Sequence, residues 1–107
     1  MLENKQTYCI EATHPCFAGH FPDNPIVPGV IILTFVQQQL LAWLPAYQIN
    51  TLAQAKFLHP LHPGEDFSIQ LKQSSSVKNI KFSCTRGTDV LATGSIMLQN
   101  LPGAKHE

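Results

Sequence analysis

The segment from Pro28 to Trp43, PGVIILTFVQQQLLAW, limits what this chain can fold into more than any other stretch. Val30, Ile31, Ile32, Leu33, Phe35, Val36, Leu40, Leu41 and Trp43 spread apolar side chains around nearly the whole circumference of a helix. A helix of that kind has to be covered on most sides. Pro28 suits the first turn, where its missing N–H costs nothing, and Pro45 stops the helix. The polar exceptions are Thr34 and Gln37 to Gln39, of which Thr34 and Gln38, four apart, share a face. A chain of 107 residues is expected to form one domain, 1–107. At that size only about two-thirds of the unfolded chain's surface becomes buried. Charged residues make up 13% of the chain, against roughly 25% in average globular domains. Part of the outer surface is therefore expected to meet another subunit.

The loop ahead of the helix, THPCFAGHFPDNPIV, sets Pro15, Pro22, Pro25 and Pro28 around Gly19 and Gly29, so φ is fixed at four positions and free at two. A short helical turn is expected over Pro15 to Ala18, and the loop presents one central histidine, His20. It is long for a structureless connection, which itself points to function. The first helical amides, near Gly29, have no intrahelical acceptor and attract developing negative charge. Gly29 has no side chain to keep a ligand carbonyl away from them.

Strands are expected on both sides of the helix. Gln6 to Ala12 alternates, with Tyr8, Ile10 and Ala12 on one face. Leu52 to Leu58 follows the helix. Phe67, Ile69 and Leu71, then Ile80, Phe82 and Cys84, alternate with polar residues as two half-buried antiparallel strands. Arg86-Gly87-Thr88-Asp89 makes a turn into Val90 to Leu98, apolar on both faces as a central strand would be, and Leu101 to Glu107 reads as a tail. The order fits an α+β architecture in which an antiparallel sheet of about five strands curls around one central helix.

A formal net charge of zero with scattered Lys and Arg gives no basic face for nucleic acid. The N-terminus lacks the pattern of a signal peptide, and the longest apolar run is interrupted by Thr34 and the glutamines, so no membrane span is expected and the expected compartment is the cytoplasm. Cys9, Cys16 and Cys84 are odd in number with no CxxC pair, which favours reduced packing residues over disulfides or zinc. His14, His59 and His62 each neighbour a proline in a turn without an acidic partner at ligand spacing, so neither a metal nor another cofactor is expected.

GHFPDNPIVPGV at Gly19 to Val30, KFLHPLHPGEDFSIQL at Lys56 to Leu71 and GTDVLATGSIML at Gly87 to Leu98 resemble the hot-dog-fold 3-hydroxyacyl-(acyl carrier protein) dehydratases of bacterial fatty acid synthesis. The similarity spans almost the whole chain. The resemblance implies a dimer joined edge to edge through the strand after the helix, with an acyl tunnel between protomers. It implies His20 as the catalytic histidine, Gly29 as the glycine whose amide binds the thioester oxygen, and Gln38 as the glutamine that ends the helical motif. Phe21 and Val30 flank these motifs and are expected, with Gln38, to contact substrate. The family's helix carboxylate falls on Thr34, and no carboxylate lies within the helix.

Removing water from a 3-hydroxyacyl thioester requires a base for the C2 proton, a stabiliser for the enolate oxygen and an acid for the departing hydroxyl. His20 fits the first role and the Gly29 amide the second. Thr34 fits a weaker third role, holding the hydroxyl while protonated His20 returns its proton. Two other classes stay open. One is a thioesterase, which would need a carboxylate such as Asp23 or Glu11. The other is a noncatalytic acyl-binding subunit that pairs with a second hot-dog protein supplying the acid.

Overall fold

The computed structural model describes residues 2–14 and 25–101. Cys16, His20, Phe21 and Asp23, the turn expected over Pro15 to Ala18 and the tail after Leu101 lie outside the described residues. The elements run β1 (Glu3–Cys9), α1 (Gly29–Trp43), β2 (Tyr47–Phe57), β3 (Asp66–Gln73), β4 (Asn79–Arg86) and β5 (Asp89–Asn100). The five strands form one antiparallel sheet in the order β1-β3-β4-β5-β2.

The alternation in β3 and β4 builds the inner face of this sheet. Phe67, Ile69 and Leu71 are buried, and so are Ile80, Phe82 and Cys84 on the neighbouring strand. Gly87, with φ of +62°, makes the tight turn between β4 and β5, a backbone region that side chains resist. On β5, Gly94 lies opposite Phe82 and Ala55, and a side chain there would collide with the Phe82 ring and the Gln54 carbonyl.

Both edge strands depart from the sequence expectation. β1 starts at Glu3, not Gln6, and ends at Cys9, because its polar first half pairs with Lys72, Leu71 and Gln70 of β3. Ile10 leaves the ladder and becomes buried, while Ala12 is exposed. β2 starts at Tyr47, five positions before the expected Leu52. Its mixed composition hid it, since it is an edge strand with two register shifts against β5, between Ile49 and Thr51 and between Leu52 and Gln54.

α1 lays Ile32, Val36 and Leu40 on the sheet. Complete burial of one such side chain contributes about 1.5–3 kcal/mol. Phe35 packs against Tyr8 and Phe67, with ring centroids 5.0 and 5.9 Å away. The helix is nonetheless not covered on most sides within one chain. Val30 is 66% exposed, and Thr34, Gln37 and Gln38 continue its open stripe. Among the described residues, the buried polar one is instead Gln39. Its Nε2 donates to the Asn4 side-chain oxygen at 2.8 Å and the Ile69 carbonyl at 3.0 Å, and its Oε1 accepts from the Tyr8 hydroxyl at 2.9 Å. Among the described residues, no helix is long and apolar enough to cross a membrane.

Candidate active site

The entry to α1 is built from Ile26-Val27-Pro28. Pro28 has extended backbone at the N-cap, φ −60° and ψ 143°, and no side chain caps the helix. The Ile31 amide turns back to the Pro28 carbonyl at 2.9 Å. The Gly29 and Val30 amides have no acceptor among the described residues, as the geometry of a helix start dictates. Val27 is tied across to the segment after β2 by its amide, which donates to the Leu61 carbonyl at 2.8 Å.

Between these two segments lies a cavity of about 530 Å³. Gly29 and Ile32 form one wall, and Phe57, Leu58, His59 and Leu61 the other. The Phe57 ring lies directly over Gly29. The lining is apolar apart from backbone and His59, a composition that suits an alkyl chain ending near two amides that have no acceptor among the described residues.

The residues singled out from the sequence are distributed unevenly around this cavity. Gly29 is on its wall. Val30 and Thr34 are on α1 but face outward, and neither lines the cavity. The Thr34 hydroxyl donates to the Val30 carbonyl at 2.9 Å. With its proton engaged in that way, the hydroxyl oxygen is left as an acceptor for a substrate hydroxyl or a water. Gln38 lines a separate hollow of about 360 Å³ with Asn4, Gln6 and Tyr8. Glu11 is exposed and accepts from the Cys9 thiol at 3.6 Å, away from the cavity. His20 and Phe21 lie outside the described residues.

His59 was not singled out for catalysis from the sequence, where it reads as a turn histidine. The signal that could have found it is His59-Pro60 following directly on a strand that ends in Phe57 and Leu58. The segment is held firmly. The Leu58 and His59 amides donate to the Leu91 carbonyl at 2.8 and 3.3 Å, and Arg86 Nη1 donates to the Pro60 carbonyl and to Glu65 Oε1, both at 2.9 Å. The His62 amide, which donates to Glu65, and the Arg86 guanidinium hold the Glu65 carboxyl below its ordinary value, against the upward push of partial burial. Cys84 lies in the core, where burial pushes its thiol up to about 11, so it stays protonated and inert. Among the described residues there is no cluster of three or more His, Cys, Asp or Glu suited to a metal ion.

Residues 3–95 match the family described as ApeI-like, ApeI dehydratase. The 3-hydroxyacyl-(acyl-carrier-protein) dehydratase FabZ of Brucella ovis is 32% identical over 90 residues, covering 75% of this chain and 57% of that protein. The chain spans about half the length of the curated relatives it matches. Among solved structures, the dehydratase heterocomplex ApeI:P from Xenorhabdus doucetiae superposes with a TM-score of 0.81 at 24% identity, covering 90% of this chain and 86% of that one. The (R)-hydratase from A. caviae involved in PHA biosynthesis gives 0.67 at 14% identity, covering 94% and 95%. The five-stranded antiparallel sheet packed on α1 is the hot-dog fold.

Proposed function

Because this chain belongs to the ApeI dehydratase family, we propose that it removes water from a 3-hydroxyacyl thioester presented by an acyl carrier protein. The observation that carries the reading is the apolar cavity of about 530 Å³ that meets the uncapped start of α1 at Gly29. An acyl chain placed there brings its thioester carbonyl to free amides, where charge on the oxygen is stabilised as the C2 proton leaves.

In this reading His20, assigned from its Gly-His-Phe-Pro setting, takes the C2 proton. The Gly29 amide holds the enolate oxygen. Phe21 contacts the substrate, Val30 offers its backbone amide beside that of Gly29 while its side chain faces outward, and Thr34 and Gln38 occupy the helix positions where the family motif continues. Thr34 faces outward from the cavity, and the role left to its hydroxyl is that of an acceptor on the open stripe of α1. It cannot protonate the leaving group, and α1 carries no carboxylate to do so.

A second reading follows from that missing carboxylate. β2 is an edge strand with Leu52 and Phe57 exposed and the exposed Leu58 just after it, and the similar ApeI:P structure is a dehydratase heterocomplex. In this reading the chain is the half-catalytic partner of a second hot-dog subunit, joined through β2, that supplies the acid.

Purified protein incubated with 3-hydroxyacyl, enoyl and saturated acyl carrier protein thioesters separates the classes. The proposal expects enoyl product from the first and no hydrolysis of the third, with His20→Ala abolishing turnover. Hydrolysis of saturated thioester would make the chain a thioesterase. Turnover only after a second hot-dog subunit is added would favour the partner reading.

A further inference from the structure

The cavity beside Gly29 contains one titratable side chain among its described lining residues, and that side chain is His59. We infer that His59 is the proton donor to the departing hydroxyl, taking the place of the helix carboxylate that Thr34 cannot replace. The inference rests on the dehydratase reading above.

Three observations converge on it. His59 and Gly29 line the same open cavity, so a substrate whose thioester oxygen sits at Gly29 has its C3 region in the space that His59 also borders. The backbone on either side of His59 is anchored to three other segments: to Leu91 of β5 through two amides, to Arg86 of β4 through the Pro60 carbonyl, and to Val27 at the helix entry through the Leu61 carbonyl. A backbone clamped in this way fixes the point from which the His59 side chain reaches before substrate arrives, which limits the search that proton transfer requires. Finally, His59 is exposed at the rim of the cavity and can be recharged with a proton from water after each turnover. The other cation near this segment, Arg86, is already engaged by Glu65 and Asp89 and does not give up a proton.

The step balances as follows. His20 accepts the C2 proton, and the electron pair of the C–H bond moves into the enolate, whose oxygen is held at Gly29. The enolate then collapses to form the C2–C3 double bond while the C3–O bond breaks. Its electron pair goes to the hydroxyl oxygen, which takes the proton of the His59 imidazolium and leaves as water. His20 returns its proton to solvent and His59 recovers one, so no other reactant is needed.

The test is kcat and KM for a 3-hydroxyacyl carrier protein thioester across pH 5.5 to 9 (about the range in which histidines titrate), in the wild type, His59→Gln and His59→Ala. Loss of a general acid costs about 10²- to 10⁴-fold, so kcat should fall at least about a hundredfold with KM little changed. The alkaline limb of the wild-type kcat profile should disappear in both variants, and added imidazole should partly rescue His59→Ala. The charged and titratable groups to be weighed in that profile are His20, His62, Glu65, Arg86 and Asp89. An unchanged kcat, or a rise in KM alone, overturns the assignment and leaves the dehydratase reading standing. If both variants fail to fold by circular dichroism, the wild-type profile decides, and the lack of an alkaline limb overturns it. A wild type that dehydrates no 3-hydroxyacyl thioester overturns the dehydratase reading itself and this inference with it.

Discussion

The ring of Phe57 closes over the α-carbon of Gly29, so that a β-carbon built there would stand 2.9 Å from Cζ and 3.0 Å from Cε1. Real β-carbons do not come so close to a carbon neighbour. The glycine is what lets the edge strand β2 and the start of α1 share one cavity.

Gly29→Ala should therefore shift the ring rather than unfold the chain. Phe57 is 49% exposed and can swing outward, so the expected stability loss is at the low end for overpacking, about 1 kcal/mol. Turnover should fall more than about tenfold, because the moved ring and the new methyl lie where the thioester oxygen is stabilised. Thermal unfolding and kcat measured side by side check this. Retained turnover would remove the Gly29 amide from the mechanism.

Thr34→Glu tests whether the helix position still addresses substrate. Residue 34 lies about 7.5 Å along the axis from Gly29 at 1.5 Å per residue. Its side chain is exposed within one chain, so a carboxylate there should change stability by no more than about 0.5 kcal/mol. In the His59→Ala background dehydration should rise about tenfold, less than the roughly 10²- to 10⁴-fold of a well-placed acid–base group. A stably folded variant with no gain on any 3-hydroxyacyl thioester would favour the partner-subunit reading.

Gln39 and Gln38 should behave oppositely. Gln39→Leu strands the Tyr8 hydroxyl and the Ile69 carbonyl, each of which now bonds to its side chain. A buried polar group left without a partner costs about 1–3 kcal/mol, so a total of about 2–4 kcal/mol is expected. Gln38→Leu, on the open stripe, should change stability by less than about 0.5 kcal/mol. Denaturant unfolding of the pair gives the contrast, and equal losses would contradict the bonding described.

This pair also marks where reading the sequence stopped short. The inward faces of β3 and β4 were legible from their two-residue alternation, the helix from an apolar run bracketed by Pro28 and Pro45, and the turn at Gly87 from its Arg-Gly-Thr-Asp residues. Within a run of three glutamines, periodicity alone does not say which one turns inward, since that depends on Asn4, Tyr8 and Ile69 far away in the chain. The first half of β2 was hidden because an edge strand exposed along most of its length has little need of alternation. Around the cavity, the uncapped helix start at Gly29 was legible from local backbone logic. That His59 borders the same cavity was not, because it depends on the closure of residues 57–61 against the helix entry.

Acid should loosen the segment that carries His59. The folded state holds the Glu65 carboxyl below its ordinary value near 4.5. A depressed carboxyl contributes stability above the unfolded-state pKa, and that contribution is lost as pH falls through the folded pKa. Thermal stability should therefore decline as pH drops below about 4.5, and Glu65→Gln should flatten that part of the decline. An identical acid limb in the variant would show that Glu65 is not responsible.

The strand order β1-β3-β4-β5-β2 puts neighbours in sequence at the centre and brings the two outer strands in over long stretches of chain. Short hairpins close early and cheaply, while distant pairings close late. The cavity takes Phe57 from β2, the outermost and most irregularly paired strand, and Gly29 from a helix that precedes the whole hairpin unit. Its strand wall is thus the margin of the sheet and its helix wall the start of an element that belongs to no strand pair, so the cavity sits where two independently built parts of the fold meet, outside the β3-β4-β5 centre.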